Sequence, residues 1–540
     1  MLGPGDICPL NGPPAMYGEP APQPDSALLA LPSELLHRVL CEAAAESTSA
    51  LVAAALTCRA LRAFVFENPD EALWRDVLLR RYDDPRRAGA YPRPRDKIDW
   101  KALVKERSFA ERVLDRTEDV DELARVVNRL SDTLVGMYLD LPPKSPALDQ
   151  MEGARDPHLF FTAPATRNGP ILERLLGTPA FHKLYAAFSA HEPEYRQNPE
   201  QTYYLRHRRR RPISIPALAR LHALLVPRNT RDMDPKSEAH AQASEHRGYA
   251  RELVYSGSHY REDNDWAPLR PDGSVDWTLV DAIGDVMMLN AQDVLATSGA
   301  HLWSMAILPM SYGIESVRGL GLLGLERPAD LAADEPWDWA GIGGLWHGSY
   351  AFMEYRHWVR LNEPHLLQVR RGVPALRLSD YDEAIGDLML MRMIVDNGPG
   401  DADDAYADLI GVKRSNMPPL PRLETQLPTS QHLPPLYFHG TSTQLSTGTS
   451  HPSGAPHSFV RGVVRLTADD PPEMRWTIVI SYGDADRWRL EGVQVGGRGS
   501  KRGFVGVWTD ADREEHSPNG PVWYWKSEAS SSNQHPLYCP

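Results

Sequence analysis

Cysteine is scarce: Cys8, Cys41, Cys58 and Cys539 are the four in 540 residues, and no two form a CxxC pair or cluster with histidines. That spacing excludes a disulfide scaffold and a zinc module of ordinary ligand spacing. Long apolar runs are also missing, and the densest stretch, residues 50–56, is too short to span a bilayer. Residues 1–26 lack a basic n-region and an apolar h-region, so no secretory signal is expected there and a cytoplasmic and/or nuclear setting follows. Positive charge is the minority sign, 58 Lys and Arg against 72 Asp and Glu for a net −14, which argues against a general polyanion binder. No nucleic-acid or membrane partner is expected.

Against these absences stand 42% hydrophobic and 24% charged residues, which is ordinary globular usage. The length allows about three to four domains of common size. Proline is in excess at 47 residues, pointing to many loops, turns and extended linkers.

Residues 1–26 read as a flexible, disordered tail, and the apolar pattern begins at Ala27. Pro32 suits a first helical turn because it has no amide hydrogen to leave unpaired, and Glu34 lies near the positive end of the helix dipole. Leu35, Leu36, Val39 and Leu40 form one apolar stripe. A second helix is expected from Ser47 or Ser49 through Leu56 and Leu61 to Val65, and a third from Asn68 through Leu73 and Trp74 to Tyr82. Three short helices in about 55 residues bury little surface without neighbours or a partner.

The string Leu31-Pro32-x-Glu34-Leu35-Leu36-x-x-Val39-Leu40, then Leu56-Thr57-Cys58-Arg59-x-Leu61-Arg62, then Leu73-Trp74, resembles an F-box over residues 28–82. The resemblance implies a trihelical hook that docks on a Skp-type adaptor and through it joins a cullin-RING ubiquitin ligase. It makes Leu31, Pro32, Leu35, Leu36, Val39, Leu40, Leu56, Leu61 and Trp74 the adaptor-binding candidates. For Leu36, Val39 and Leu56, packing of a small helical domain remains equally open. Residues 42–50 depart from the family's charged, proline-containing turn.

Residues 83–335 are expected to form a helical linker and middle region, with helical spacing over 98–130, 171–176, 179–190, 215–225, 239–254 and 280–295. From Trp337 the texture becomes aromatic and alternating, as in half-buried strands. Residues 345–355, 388–395, 436–439, 462–467, 474–481, 492–495, 503–508 and 522–525 are the strand candidates, with residues 401–404 expected as loop. The fold class is therefore α+β: an N-terminal F-box at 27–82, a helical middle, and an antiparallel barrel or sandwich at 336–527, then a flexible tail at 528–540. Residues 339–346, Tyr437-Phe438-His439-Gly440-Thr441 and residues 475–497 resemble the C-terminal region of fungal, basidiomycete-type F-box proteins. The Phe-x-Gly-Thr strand resembles that of F-box-only proteins with a lipocalin-like barrel.

Local chemistry is thin. Gly319, Gly321 and Gly324 satisfy GxGxxG, but Arg318 precedes them and Arg327-Pro328 follows, so neither the strand nor the helix of a dinucleotide fold is present. Residues 496–502 carry three glycines and three cations, which fits an anion-binding nest or, more simply, a hairpin turn. His240, His246 and His259 are too far apart for one helical face, so no metal or cofactor is expected. The basic run 206–211 fits an import signal, an acidic-partner contact or a solvated helix end. Asp334-Glu335-Pro336-Trp337-Asp338-Trp339 pairs carboxylates with tryptophans, as in a carbohydrate cleft, or forms a turn into the first strand.

The expectation is a non-catalytic substrate receptor of a Skp-cullin-F-box ubiquitin ligase, contributing proximity to a target of unnamed identity. Aromatic and arginine anchors Trp346, Tyr350, Trp476, Arg487, Trp488 and Arg498 are the target-binding candidates, each also readable as barrel core. The alternatives are a carbohydrate- or small-molecule-active enzyme using the β-domain, and a non-degradative F-box scaffold.

Overall fold

The computed structural model describes residues 27–67, 71–88, 98–117, 119–142, 166–188, 216–224, 236–296, 316–318, 327, 331–332, 335–362, 383–444, 458–483, 485–513 and 517–529. The N-terminal tail, the run 206–211 and the GxGxxG segment lie outside them. The described residues form two compact units, divided between Arg80 and Arg81.

In the first unit the helices are α1 (Ser33–Glu46), α2 (Ser49–Thr57), α3 (Arg59–Phe66) and α4 (Ala72–Arg81). Pro32 caps α1, its carbonyl accepting from the amides of Leu35 and Leu36 at 3.0 Å each. The second expected helix is two, because Cys58 leaves helical geometry and its Sγ accepts from the Leu61 amide at 3.5 Å. A side-chain cap of this kind restarts a helix in a new direction. Trp74 is held by an indole hydrogen bond to the Val65 carbonyl at 2.7 Å and by the Phe66 ring at 5.8 Å.

The second unit carries α5 (Trp100–Arg116), α6 (Val120–Leu139), α7 (Asn168–Leu176), α8 (Pro179–Phe188), α9 (Pro216–Ala223), α10 (Glu238–Tyr255) and α11 (Trp277–Ala296) before its sheet. Its strands are β1 (Gly344–Phe352), β2 (Ala384–Ile385), β3 (Met389–Val395), β4 (Leu436–Gln444), β5 (Ser458–Leu466), β6 (Met474–Tyr482), β7 (Ala485–Gln494), β8 (Phe504–Asp510) and β9 (Gly520–Ala529). Helix α12 (Tyr355–Asn362) follows β1, and α13 (Pro399–Leu409) follows β3. The protein is thus α+β. Residues 401–404, expected as loop, are helical: Pro399 sits in the first turn, where its missing amide costs nothing, and Asp401 complements the dipole.

From β3 to β9 each strand pairs antiparallel with the next, and β9 pairs with β1, which also pairs with β3. Eight strands therefore close into an up-and-down barrel, and β2 adds a two-residue extension beside the end of β1. Alternation sends Trp346, Met391, Phe438, Trp476, Leu490, Phe504 and Tyr524 inward, where they are buried. The rings interlock: Trp346 meets Trp476 edge-on at 5.1 Å, and Trp476, Phe504 and Tyr524 stack at 5.0 and 5.4 Å. Such a bore is filled by side chains. Two glycines admit the rings, since a Cβ on Gly462 would lie 2.1 Å from Phe438 and one on Gly348 2.0 Å from Tyr524.

One end of the bore is plugged by residues 337–343. Asp338 accepts from the amides of Ile342 and Gly343 at 2.7 and 2.8 Å, so its carboxylate forms a turn. Arg498 donates twice to the Trp339 carbonyl, at 3.0 and 2.8 Å, and Lys526 donates to the Gly341 carbonyl at 2.6 Å. Burial pushes the Lys526 ammonium down to about 8, with Asp338 opposing and Lys501 reinforcing that shift. Residues 496–502 join β7 to β8, and Gly496, Gly497 and Gly499 all hold positive φ there.

On the outer wall the buried Glu491 accepts from Arg475 at 2.9 and 3.2 Å, from Thr477 at 2.9 Å and from Arg489 at 2.9 Å. Arg513 approaches it at 3.4 Å. Burial pushes the Glu491 carboxyl up, yet Arg475, Arg489 and Arg513 outweigh it and hold its pKa below the ordinary value. Arg475 also reaches Asp265 at 3.0 Å, and Arg251 of α10 pairs with Glu383 at 2.9 Å, so ion pairs fix the helical region to the barrel. Helix α11 packs against β8 and β9.

Candidate functional site

Two surfaces stand out, one on each unit. On α1, Leu36 and Leu40 turn inward while Leu35 and Val39, four residues apart, face water. On α2, Leu51 and Ala55 are buried while Val52 and Leu56 are exposed, Leu56 at 78%. Leu61 and Trp74 are buried, Pro32 is exposed and Leu31 is half-buried. Of the nine adaptor candidates, Pro32, Leu35, Val39 and Leu56 present surface, Leu36, Leu40, Leu61 and Trp74 support it from beneath, and the half-buried Leu31 lies between. Burying a large aliphatic chain is worth about 1.5–3 kcal/mol, so a small helical unit that leaves five of them, Leu29 included, in water has surface suited to a partner.

The second surface is the end of the barrel opposite the plug. The register brings Tyr350 beside Val522, Trp488 beside Asp510, Trp508 beside Gly520 and Tyr482 beside Ala485. Tyr350, Trp488, Trp508 and Tyr482, with Phe352, form an aromatic rim. Trp508 stands edge-on to both Tyr350 (6.5 Å, 81°) and Trp488 (5.1 Å, 80°), and Phe352 stacks on Tyr350 at 6.4 Å. Tyr350, Trp488 and Trp508 are half-buried, and Phe352 and Tyr482 are exposed at 41% and 47%. Arg487 lies 4.7 Å from the Trp488 ring and 3.2 Å from Asp510.

Of the six target-binding candidates, Tyr350, Arg487 and Trp488 meet at this rim. Trp346 and Trp476 sit in the core of the bore without surface, and Arg498 is buried in the plug. Phe352, Tyr482 and Trp508 were missed; their inward phase along the strands was the available signal, but only the closed register shows that they share one end.

A third arrangement lies on the outer wall. His439 Nδ1 is 2.5 Å from Asp396 Oδ1, and burial pushes the Asp396 carboxyl up despite that bond. Beside it a notch of about 20 Å³ is lined by Asp396, Arg422, Leu423, Tyr437 and Arg461, room for a water molecule or so. No serine, threonine or cysteine is hydrogen-bonded to the other nitrogen of His439 among the described residues.

Among the described residues no group of three or more His, Cys, Asp and Glu could hold a metal ion, and no helix is long and apolar enough to cross a membrane. His259 is half-buried and its pKa is pushed down by desolvation. Compared with protein-family models, curated proteins and solved structures, the chain matches none.

Proposed function

We propose that the chain is a substrate-receptor subunit of a Skp-cullin-F-box ubiquitin ligase, non-catalytic itself and acting in the cytoplasm and/or nucleus. In this reading α1 to α4 are an F-box hook that docks on a Skp-type adaptor, and the barrel is a lipocalin-like receptor domain that presents the target site. The observation that carries it is the pair of aliphatic couples, Leu35 with Val39 and Val52 with Leu56, left in water on α1 and α2. The role needs proximity and orientation, with the chemistry supplied by partners.

The test is the affinity of the full chain for a purified Skp-type adaptor. Leu35→Asp/Leu56→Asp is expected to weaken binding at least about tenfold, since each leucine contributes about 1–2 kcal/mol on burial, while the circular dichroism and thermal midpoint stay put. Leu51→Ala, at a buried position, should instead lower stability by about 2–5 kcal/mol. Absence of binding by the wild-type chain overturns the reading.

A further inference from the structure

The rim of the barrel combines three properties that point to one ligand chemistry. Its walls are π faces set at right angles, because Tyr350 and Trp488 each stand about perpendicular to Trp508. Its aromatic surface is open to water, at Phe352 and Tyr482 above all. A carboxylate stands beside it: Asp387 follows Gly386, whose amide donates to the Tyr350 carbonyl at 2.7 Å, while the cation at the rim, Arg487, is already paired with Asp510 at 3.2 Å. Asp387 is exposed and has no ion-pair partner among the described residues.

Aromatic faces attract cations through their quadrupole, tryptophan most strongly, and orthogonal faces let one cation touch several rings at once. The rim already shows the preference on one wall, where Arg487 lies over Trp488. No cation lies over Tyr350, Phe352 or Tyr482 among the described residues. A purely apolar ligand would gain nothing from Asp387, and an anion would be repelled by it. We propose that this end of the barrel is an aromatic cage for an alkylammonium head group, with Tyr350, Phe352, Tyr482, Trp488 and Trp508 as walls and Asp387 as counter-charge.

Such a head group has two sources, a free quaternary amine and a methylated lysine side chain on a protein. The proposal rests on the receptor reading only in making the second source a target determinant, and the cage itself is testable without it. The full chain is titrated with choline, with 3,3-dimethylbutan-1-ol, which replaces the trimethylammonium by a neutral group of the same shape, and with a short peptide bearing trimethyllysine. Tryptophan fluorescence is the readout, since Trp488 and Trp508 are the partly exposed indoles of the rim.

Saturable binding of choline or of the peptide is expected, with the neutral isostere at least about tenfold weaker. Asp387→Asn and Phe352→Ala, both at exposed positions, should weaken the cation severalfold without changing the circular dichroism. Binding of choline with or without the peptide assigns a small-molecule source as sufficient, and binding of the peptide alone assigns a protein side chain. Equal affinity for the isostere, or no saturable response to either cation, overturns the proposal. Leu35→Asp/Leu56→Asp should leave cation binding intact, so the cage can fail with adaptor docking standing, and the reverse.

Discussion

Two Gly→Ala substitutions in the second unit should change stability in opposite directions. At Gly462 on β5, an added Cβ would stand 2.1 Å from Cζ of Phe438, and ordinary carbon contact is about 3.5–4.0 Å. The ring would have to retreat by roughly 1.4 Å or more. It has no free direction, because Phe438 is fully buried and meets Trp476 edge-on at 5.7 Å, which in turn stacks on Phe504. Over-packing of this kind costs about 1–3 kcal/mol. At Gly284, inside α11, an added Cβ meets nothing within 4 Å, so the substitution should gain about 1 kcal/mol of helix propensity. Thermal unfolding, at about 2 °C per kcal/mol for a unit this large, should place Gly462→Ala about 2–6 °C below wild type and Gly284→Ala about 2 °C above it. A Gly462→Ala midpoint equal to wild type would refute the ring-over-glycine packing of the bore.

Charge at the two buried sites should appear in the pH dependence. Glu491 has a depressed folded pKa, so its stabilisation is present above the ordinary carboxylate range and is lost as pH falls through the folded value; Glu491→Gln should flatten that acid limb and cost about 3–5 kcal/mol at pH 7 by leaving three arginines short of a counter-charge. Lys526 titrates near 8 when folded against about 10.4 when unfolded, so the unfolded chain holds more protons in between and stability should rise with pH from 8 to about 9.5. Lys526→Met should remove that rise, and an unchanged slope in denaturant midpoints over this window would count against the burial of its ammonium.

Much of the architecture was legible in the sequence, and its gaps have physical causes. The helical pieces at 171–176, 215–225, 239–254 and 280–295 were readable from recurring apolar residues without strand-like alternation, and α7, α9, α10 and α11 lie there. The strands were readable as alternating runs. The break at Cys58 was hidden because the apolar spacing continues across it, and only the thiol cap reveals two helices. Residues 345–355 were read as one strand, whereas β1 ends at Phe352 and Tyr355 opens α12, since an alternating aromatic run does not mark where pairing stops. At the candidate site, aromatic content pointed to Tyr350 and Trp488, but equally to Trp346 and Trp476. Which pair lines the open end and which fills the bore depends on strand register around a closed ring, a property of distant pairings that no local window contains.

The seam between β1 and β9 joins residues more than 170 positions apart, Gly344 to Ala529 and Tyr350 to Val522. A chain cut before Gly520 would keep seven of the eight staves yet present two unpaired edges, one on β1 and one on β8. Exposed edges of that kind template sheet extension between molecules. C-terminal truncation of this protein is therefore a route to aggregation rather than to a smaller barrel.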